Sequence, residues 1–262
     1  IDNGAEGLVP CGTTGEAPTL THDEILAVAQ TVLEEAGGRV PVILGTGTND
    51  TAKTVKLSKE AARLGVDGLL IVCPYYNRPS QEGIKAHFRA VAEAVDLPII
   101  MYNIPYRTGR NMDAATILEL ARVPNIVGVK ESSGDVQQLM DILHGAPDDF
   151  AVLTGEDHML FLTTCLGGDG AILASGHVLP GEFARMHRLA RAGRLEEARA
   201  LHYRLLPLVR AFFSEPNPAP IKCALSMMGL IRNELRLPMT PASEACRERL
   251  ARELARLQVA VS

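Results

Sequence analysis

Seven short apolar runs recur along this chain, and none of them alternates apolar with polar residues. They are "AEGLVPCG" (5–12), "PVILGTG" (41–47), "GLLIVCPYY" (68–76), "PIIMYNIP" (98–105), "IVGVKES" (126–132), "FAVLTGED" (150–157) and "GAILASGH" (170–177). Continuous apolar runs are the pattern of strands covered on both faces, as in a parallel sheet. Between them lie amphipathic segments with helix-start signals. In "THDEILAVAQTVLEEAGG" (21–38), Thr21 and Glu24 have capping-box spacing and a glycine pair follows. "SQEGIKAHFRAVAEAVD" (80–96) and "DAATILELARV" (113–123) open with similar cap residues. The unit is strand, loop, helix, at roughly 20 to 35 residues, close to one βα unit. Such repetition leaves two architectures, a closed (β/α)8 barrel or an open doubly wound sheet. Seven strands are one short of a closed barrel, and the missing one would be the first. We therefore expect residues 1–179 to form a barrel truncated at its start. Residues 180–262 would supply the last barrel helix and a helical extension.

Composition narrows the partners. The 262 residues are 47% hydrophobic and 22% charged with net charge −5, so neither nucleic acid nor an anionic membrane is an expected partner. Arginines 185, 188, 191, 194, 199 and 204 make a basic stretch, but Glu196 and Glu197 interrupt it at helical spacing, as on a solvated face. Five scattered cysteines without a CxxC pair point to reduced thiols and a cytoplasmic location. No apolar run approaches the roughly 18–20 residues that span a bilayer.

Chemistry gathers where the runs end. In a βα barrel the active site is built at the C-terminal ends of the strands. Those ends carry "GTTGE" (12–16), "PYYNRPSQEG" (74–83), "YNIPYRTG" (102–109), "TGED" (154–157) and "ASGH" (174–177), while the fifth run ends in Lys130. A lysine on a strand walled by Ile126, Val127 and Val129 is partly desolvated, which lowers its pKa. The neutral amine is then a nucleophile able to form a Schiff base with a carbonyl. Lowering the pKa from about 10.4 to near 7 asks for roughly 4 to 5 kcal/mol. There is no HExxH, Cys/His cluster, Walker A or GxSxG, and the seven histidines read as structural.

"GTTGE", "PYYNRPSQEG", "YNIPYRTG" and "GVKESSGD", in that order, resemble the dihydrodipicolinate synthase / N-acetylneuraminate lyase family of class I aldolases. "EPNPAPIK" (215–222) and "LRLPMTP" (235–241) resemble it too, so the likeness runs along the whole chain. It implies a TIM barrel with a C-terminal helical extension, assembled as a homotetramer of two tight dimers. Members of the family begin with a further strand and helix, which accounts for the expected shortfall of one strand.

By resemblance, Lys130 is the lysine that forms the Schiff base with pyruvate, and Tyr102 shuttles protons to and from that intermediate. Thr13 links Tyr102 to Tyr76, which reaches across the tight dimer into the neighbouring site. Thr14 holds the pyruvate carboxylate, Gly155 and Ile172 line the lysine pocket, and Arg107 binds the carboxylate of the second substrate. That arginine and the "YYNRPS" loop favour aspartate 4-semialdehyde over sugar acids; sialic acid lyases continue "YNIP" without the arginine. The implied reaction is condensation of pyruvate with aspartate 4-semialdehyde to the cyclic hydroxy-tetrahydrodipicolinate of lysine biosynthesis, with no metal or organic cofactor. The competing readings are another pyruvate-dependent lyase or aldolase of the family and a catalytically inactive truncated barrel. His22, Asn49 and Tyr75 resemble parts of a lysine feedback pocket. Ile25 and Lys53 stand where sensitive enzymes carry histidine and glutamate, so inhibition is expected to be weak.

Overall fold

The computed structural model describes residues 1–260. Helix α1 (His22–Ala36) starts at Thr21, whose hydroxyl accepts from Glu24 N while the Glu24 carboxylate accepts from Thr21 N, and it ends on Gly37 in the left-handed region. Strand β1 (Ile43–Gly45), helix α2 (Thr51–Leu64) and strand β2 (Gly68–Val72) follow. Helix α3 (Gln81–Ala92) is capped by the Ser80 side chain and leads to β3 (Ile99–Asn103). A four-residue turn of helix, α4 (Pro105–Thr108), precedes α5 (Ala114–Leu120). Asp113 stands at the N-cap of α5 as its sequence suggests, but its side chain makes no cap bond. Then come β4 (Ile126–Glu131), α6 (Val136–Gly145), β5 (Ala151–Thr154), α7 (Leu160–Cys165) and β6 (Gly170–Ala171). The chain closes with α8 (Pro180–Arg191), α9 (Leu195–Phe212), α10 (Ala219–Met227) and α11 (Glu244–Arg256). The helical tail is thus present; its last residues, 261 and 262, lie outside the described residues.

The six strands form one parallel sheet in sequential order. The first apolar run does not become a strand. It lies along β1 through a single parallel bridge, Leu8 to Val42, with Ile43 N donating to Leu8 O and Gly45 N to Pro10 O. Pro10 has no N–H of its own, so it offers the ladder a carbonyl only. The last run keeps two residues in the ladder before turning at Ser175–His177.

The two faces of the sheet carry different cores. Leu44, Leu69, Ile71, Ile99, Met101, Val129 and Val152 pack outward with helix residues such as Ile84, Phe88, Ile117 and Ile142. Their neighbours in sequence, Ile43, Leu70, Ile100, Tyr102 and Leu153, pack on the other face with Val9 and Ile172. Side chains from the first run and from the end of the last strand share this inner cluster, so the sheet is curled and barrel-like. A separate core joins α8 to α11 through Phe183, Leu201, Leu205, Phe212, Ile221 and Leu250.

One irregularity sets the phase of β4. Ile99 pairs with Ile126 but Ile100 pairs with Gly128, a register shift that leaves Val127 as an extra residue. A bulge of this kind re-aims the side chains beyond it. With it, Lys130 lies beside Tyr102 on the inner face; an unbroken register would put Val129 there. Gly128 permits the arrangement, because a Cβ there would lie 2.7 Å from Ala151 O on β5.

Candidate active site

Lys130 is the second-to-last residue of β4 and pairs with Tyr102 on β3 and Leu153 on β5. Its Nζ sits 4.2 Å from the centroid of the Tyr102 ring. Part of its surface stays open, yet desolvation lowers its pKa to about 8, against the opposing pull of Asp157 and Glu156; Arg107 adds to the lowering. The shift is in the direction expected from the sequence, and smaller than a drop to 7. Gly155, just past β5, makes the room: a Cβ there would overlap Lys130 Cε and Ser132 Oγ. Ile172 contributes to the inner cluster beside it, its N–H donating to Thr154 O at 3.0 Å.

Tyr102 is buried, and burial pushes its phenol up to about 12 while hydrogen bonding to Thr13 and the nearby Arg107 oppose the rise. Thr13 and Thr14 belong to the loop after the first run, which turns through Gly15 N donating to Gly12 O at 3.1 Å. The helical tail reaches this loop. Asn217 Nδ2 donates to Thr14 Oγ1 at 3.0 Å, across 203 residues of sequence, and Arg107 Nη2 donates to Asn217 O at 3.2 Å. Lys222 Nζ pairs with Glu16 at 2.5 Å, and Arg236 N donates to the same carboxylate at 3.0 Å.

The structure thus brings together Lys130, Tyr102, Thr13, Gly155 and Ile172, with Thr14 and Arg107 linked through Asn217. Tyr76 does not join them within one chain. Its backbone is left-handed (φ 69°) and its side chain is 88% exposed. His22, Asn49 and Tyr75 are elsewhere: His22 Nε2 lies 2.8 Å from Glu60, Asn49 O accepts from Asn77 Nδ2 at 2.9 Å, and Tyr75 is exposed. Lys53 N donates to the Asp50 side chain, which caps α2.

Two carboxylates in "TGED" escaped the sequence reading. Asp157 is buried and accepts from Ser175 N at 2.5 Å and Ala174 N at 3.4 Å; burial raises its pKa. Glu156 is pushed up to about 7, first by burial and then by Asp157, with Lys130 opposing. Their signal was two acids directly after a strand end. Asn217 was equally hidden, in a proline-flanked loop far along the chain. On the outer face, Glu131 accepts from Ser133 N at 2.7 Å and Asn103 Nδ2 at 3.0 Å, which anchors the end of β4 behind the lysine.

A desolvated lysine, a buried phenol beside it and an arginine at the rim make a set suited to keto-acid chemistry. The sequence model of the Dihydrodipicolinate synthetase family matches residues 1–257. This chain belongs to that family. A relative from Moorella thermoacetica, named 4-hydroxy-tetrahydrodipicolinate synthase, is 51% identical over 97% of this chain and 87% of its own. Among dihydrodipicolinate synthase structures, that of Thermotoga maritima superposes with a TM-score of 0.97 at 42% identity, covering 99% of this chain and 89% of its own. The Acinetobacter baumannii enzyme, described as complexed with pyruvate, gives 0.97 at 39% identity over 99% of this chain and 88% of its own. Among the described residues, no helix is long and apolar enough to cross a membrane.

Proposed function

We propose that this member of the dihydrodipicolinate synthetase family condenses pyruvate with L-aspartate 4-semialdehyde to 4-hydroxy-tetrahydrodipicolinate, through a Schiff base on Lys130. The observation that carries the reading is the seat of Lys130: its Nζ lies 4.2 Å from the Tyr102 ring, in space that only a glycine at 155 leaves open. The named relatives support the substrates.

The neutral Lys130 amine attacks the pyruvate ketone, and loss of water gives an iminium. Its positive nitrogen acidifies the methyl protons, one of which leaves to form an enamine. Tyr102, with Thr13 and the neighbouring subunit's copy of Tyr76, relays these protons, a role worth about 10² to 10⁴ in rate. The enamine carbon attacks the aldehyde, the amine of the second substrate closes the ring at the imine carbon, and Lys130 leaves as the free amine. Thr14 and its loop hold the pyruvate carboxylate. Arg107's planar fork suits the carboxylate of the second substrate and orients its aldehyde.

The curled sheet is read as the wall of a (β/α)8 barrel over residues 1–179, with 180–262 as its last helix and extension. The exposed Tyr76 and its left-handed backbone support a tight dimer, two of which form the tetramer, in the cytoplasm. The Glu60 partner of His22 and the cation of Lys53 argue for weak lysine feedback at His22, Asn49 and Tyr75; an inhibition constant below the millimolar range overturns that part. A substrate panel tests the whole: turnover of pyruvate with aspartate 4-semialdehyde, and none with N-acetylmannosamine or other sugar aldehydes, is the expected result. The reverse preference overturns it.

A further inference from the structure

Two adjacent serines follow Glu131, and the structure uses their hydroxyls differently. Ser133 Oγ accepts from Asp135 N at 3.1 Å and so belongs to the turn into α6. Ser132 Oγ is wholly buried and has no hydrogen-bond partner. A buried hydroxyl without a partner is costly and uncommon, so it calls for an explanation. Its position supplies one. Ser132 N donates to Asn103 O at 2.8 Å, which continues the β4 ladder past Glu131. Alternation along the extended chain then puts its side chain on the inner face with Lys130, while Glu131 between them faces outward. Both side chains border the space that Gly155 leaves open: a Cβ at 155 would overlap Ser132 Oγ as well as Lys130 Cε. Nearby stands the Tyr102 phenol, whose raised pKa is opposed by Ser132 as it is by Thr13. The hydroxyl thus lies near both the arm that carries the amine and the phenol, with a hydrogen bond to neither.

We propose that the Ser132 hydroxyl binds the ketone oxygen of pyruvate as Lys130 adds to it, and holds that oxygen until it leaves as water. The inference rests on the functional reading above and deepens it, naming a further catalytic residue for the first half of the reaction. The Lys130 nitrogen pair forms the new C–N bond while the C=O π pair moves onto oxygen. One proton passes from nitrogen to that oxygen by way of Tyr102. The oxygen departs as water when the relay delivers one further proton, and the nitrogen pair then forms the iminium C=N bond. Ser132 keeps its own proton throughout. It donates a hydrogen bond to the oxygen, where negative charge builds during attack, and a donor already in place there stabilises the transition state. A serine hydroxyl rotates to suit its acceptor, and here no protein hydrogen bond has to break first.

Ser132→Ala removes the hydroxyl and adds no bulk. The test uses pyruvate alone, without the second substrate: exchange of its methyl protons in D2O, followed by NMR, requires the iminium. The expected result is exchange slowed by about 10- to 100-fold, the scale of one hydrogen bond to a charged group. The KM for aspartate 4-semialdehyde changes less than about two-fold on the same scale. The denaturation midpoint does not fall, because the variant removes a buried group that had no partner. Ser132→Cys, a weaker donor of similar shape, exchanges at a rate between the two. A serine that only supports the fold would give the reverse, a lower midpoint with exchange intact. Unchanged exchange in Ser132→Ala, or a loss confined to the KM of aspartate 4-semialdehyde, overturns the assignment of Ser132 alone. A wild-type chain that exchanges no methyl protons and forms no pyruvyl adduct on Lys130 overturns the functional reading and the part of Ser132 with it.

Discussion

Keeping Lys130 protonated costs this protein stability, and the cost has a definite pH window. Its folded pKa is lowered to about 8 from the ordinary lysine value of 10.5, so the unfolded chain binds the proton more tightly. The penalty is full below about 8, fades as pH rises towards 10.5, and is gone above 10.5, where both states are neutral. By linkage it amounts to about 3 kcal/mol at neutral pH. Lys130→Met removes the buried charge, so we expect a higher denaturation midpoint at pH 7, no turnover, and a stability gap that closes near pH 10.5. Denaturant titrations at the two pH values measure this; an unchanged or lower midpoint at pH 7 contradicts it. Tyr102 is the complementary case. Its phenol is held up to about 12, so it is protonated at neutral pH, as the proposed proton relay requires. Tyr102→Phe should lower kcat by about 10² to 10⁴ while pyruvate still labels Lys130; equal loss of labelling would make Tyr102 a structural support of the lysine.

At the scale of elements, the strands and helices were readable because their signals are local. The continuous apolar runs mark β2 to β5, and the Thr21–Glu24 box and Ser80 mark helix starts that the structure keeps. The ends of the sheet read less well. "AEGLVPCG" has strand composition, but it yields one bridge, and its Pro10 offers the ladder only a carbonyl. The inward aim of Lys130 was not legible either, since it depends on where Ile99 and Ile100 meet residues 126 to 128. Nothing within "IVGVK" states that phase. Nor could spacing reveal Asn217 meeting Thr14, or the burial of Glu156 and Asp157. Gly155 belongs to this scale, because it lets β4 and the loop after β5 share one space. Gly155→Ala should leave the fold intact and reduce pyruvate labelling of Lys130 by at least an order of magnitude, since its Cβ would occupy the place of Lys130 Cε. Unchanged labelling would show that the lysine can move aside.

For the whole molecule, the site draws on three distant parts: the loop at 12–16, the strand ends, and a tail tied back through Asn217–Thr14 and Lys222–Glu16. A fourth part is Tyr76, exposed here and assigned by our reading to the neighbouring subunit's site. Mixing Lys130→Ala with Tyr76→Phe protein tests the assignment. Each is impaired alone, but a mixed dimer holds one site with an intact lysine and an intact visiting tyrosine, so activity should recover on subunit exchange. No recovery, with exchange shown by native mass spectrometry, would place Tyr76 outside the site. Lys130 as the covalent centre is the claim on which the rest depends. Its most direct test is borohydride reduction in the presence of pyruvate, followed by peptide mass spectrometry. The account predicts a reduced pyruvyl adduct on Lys130 and on no other lysine; folded protein without that adduct would contradict it.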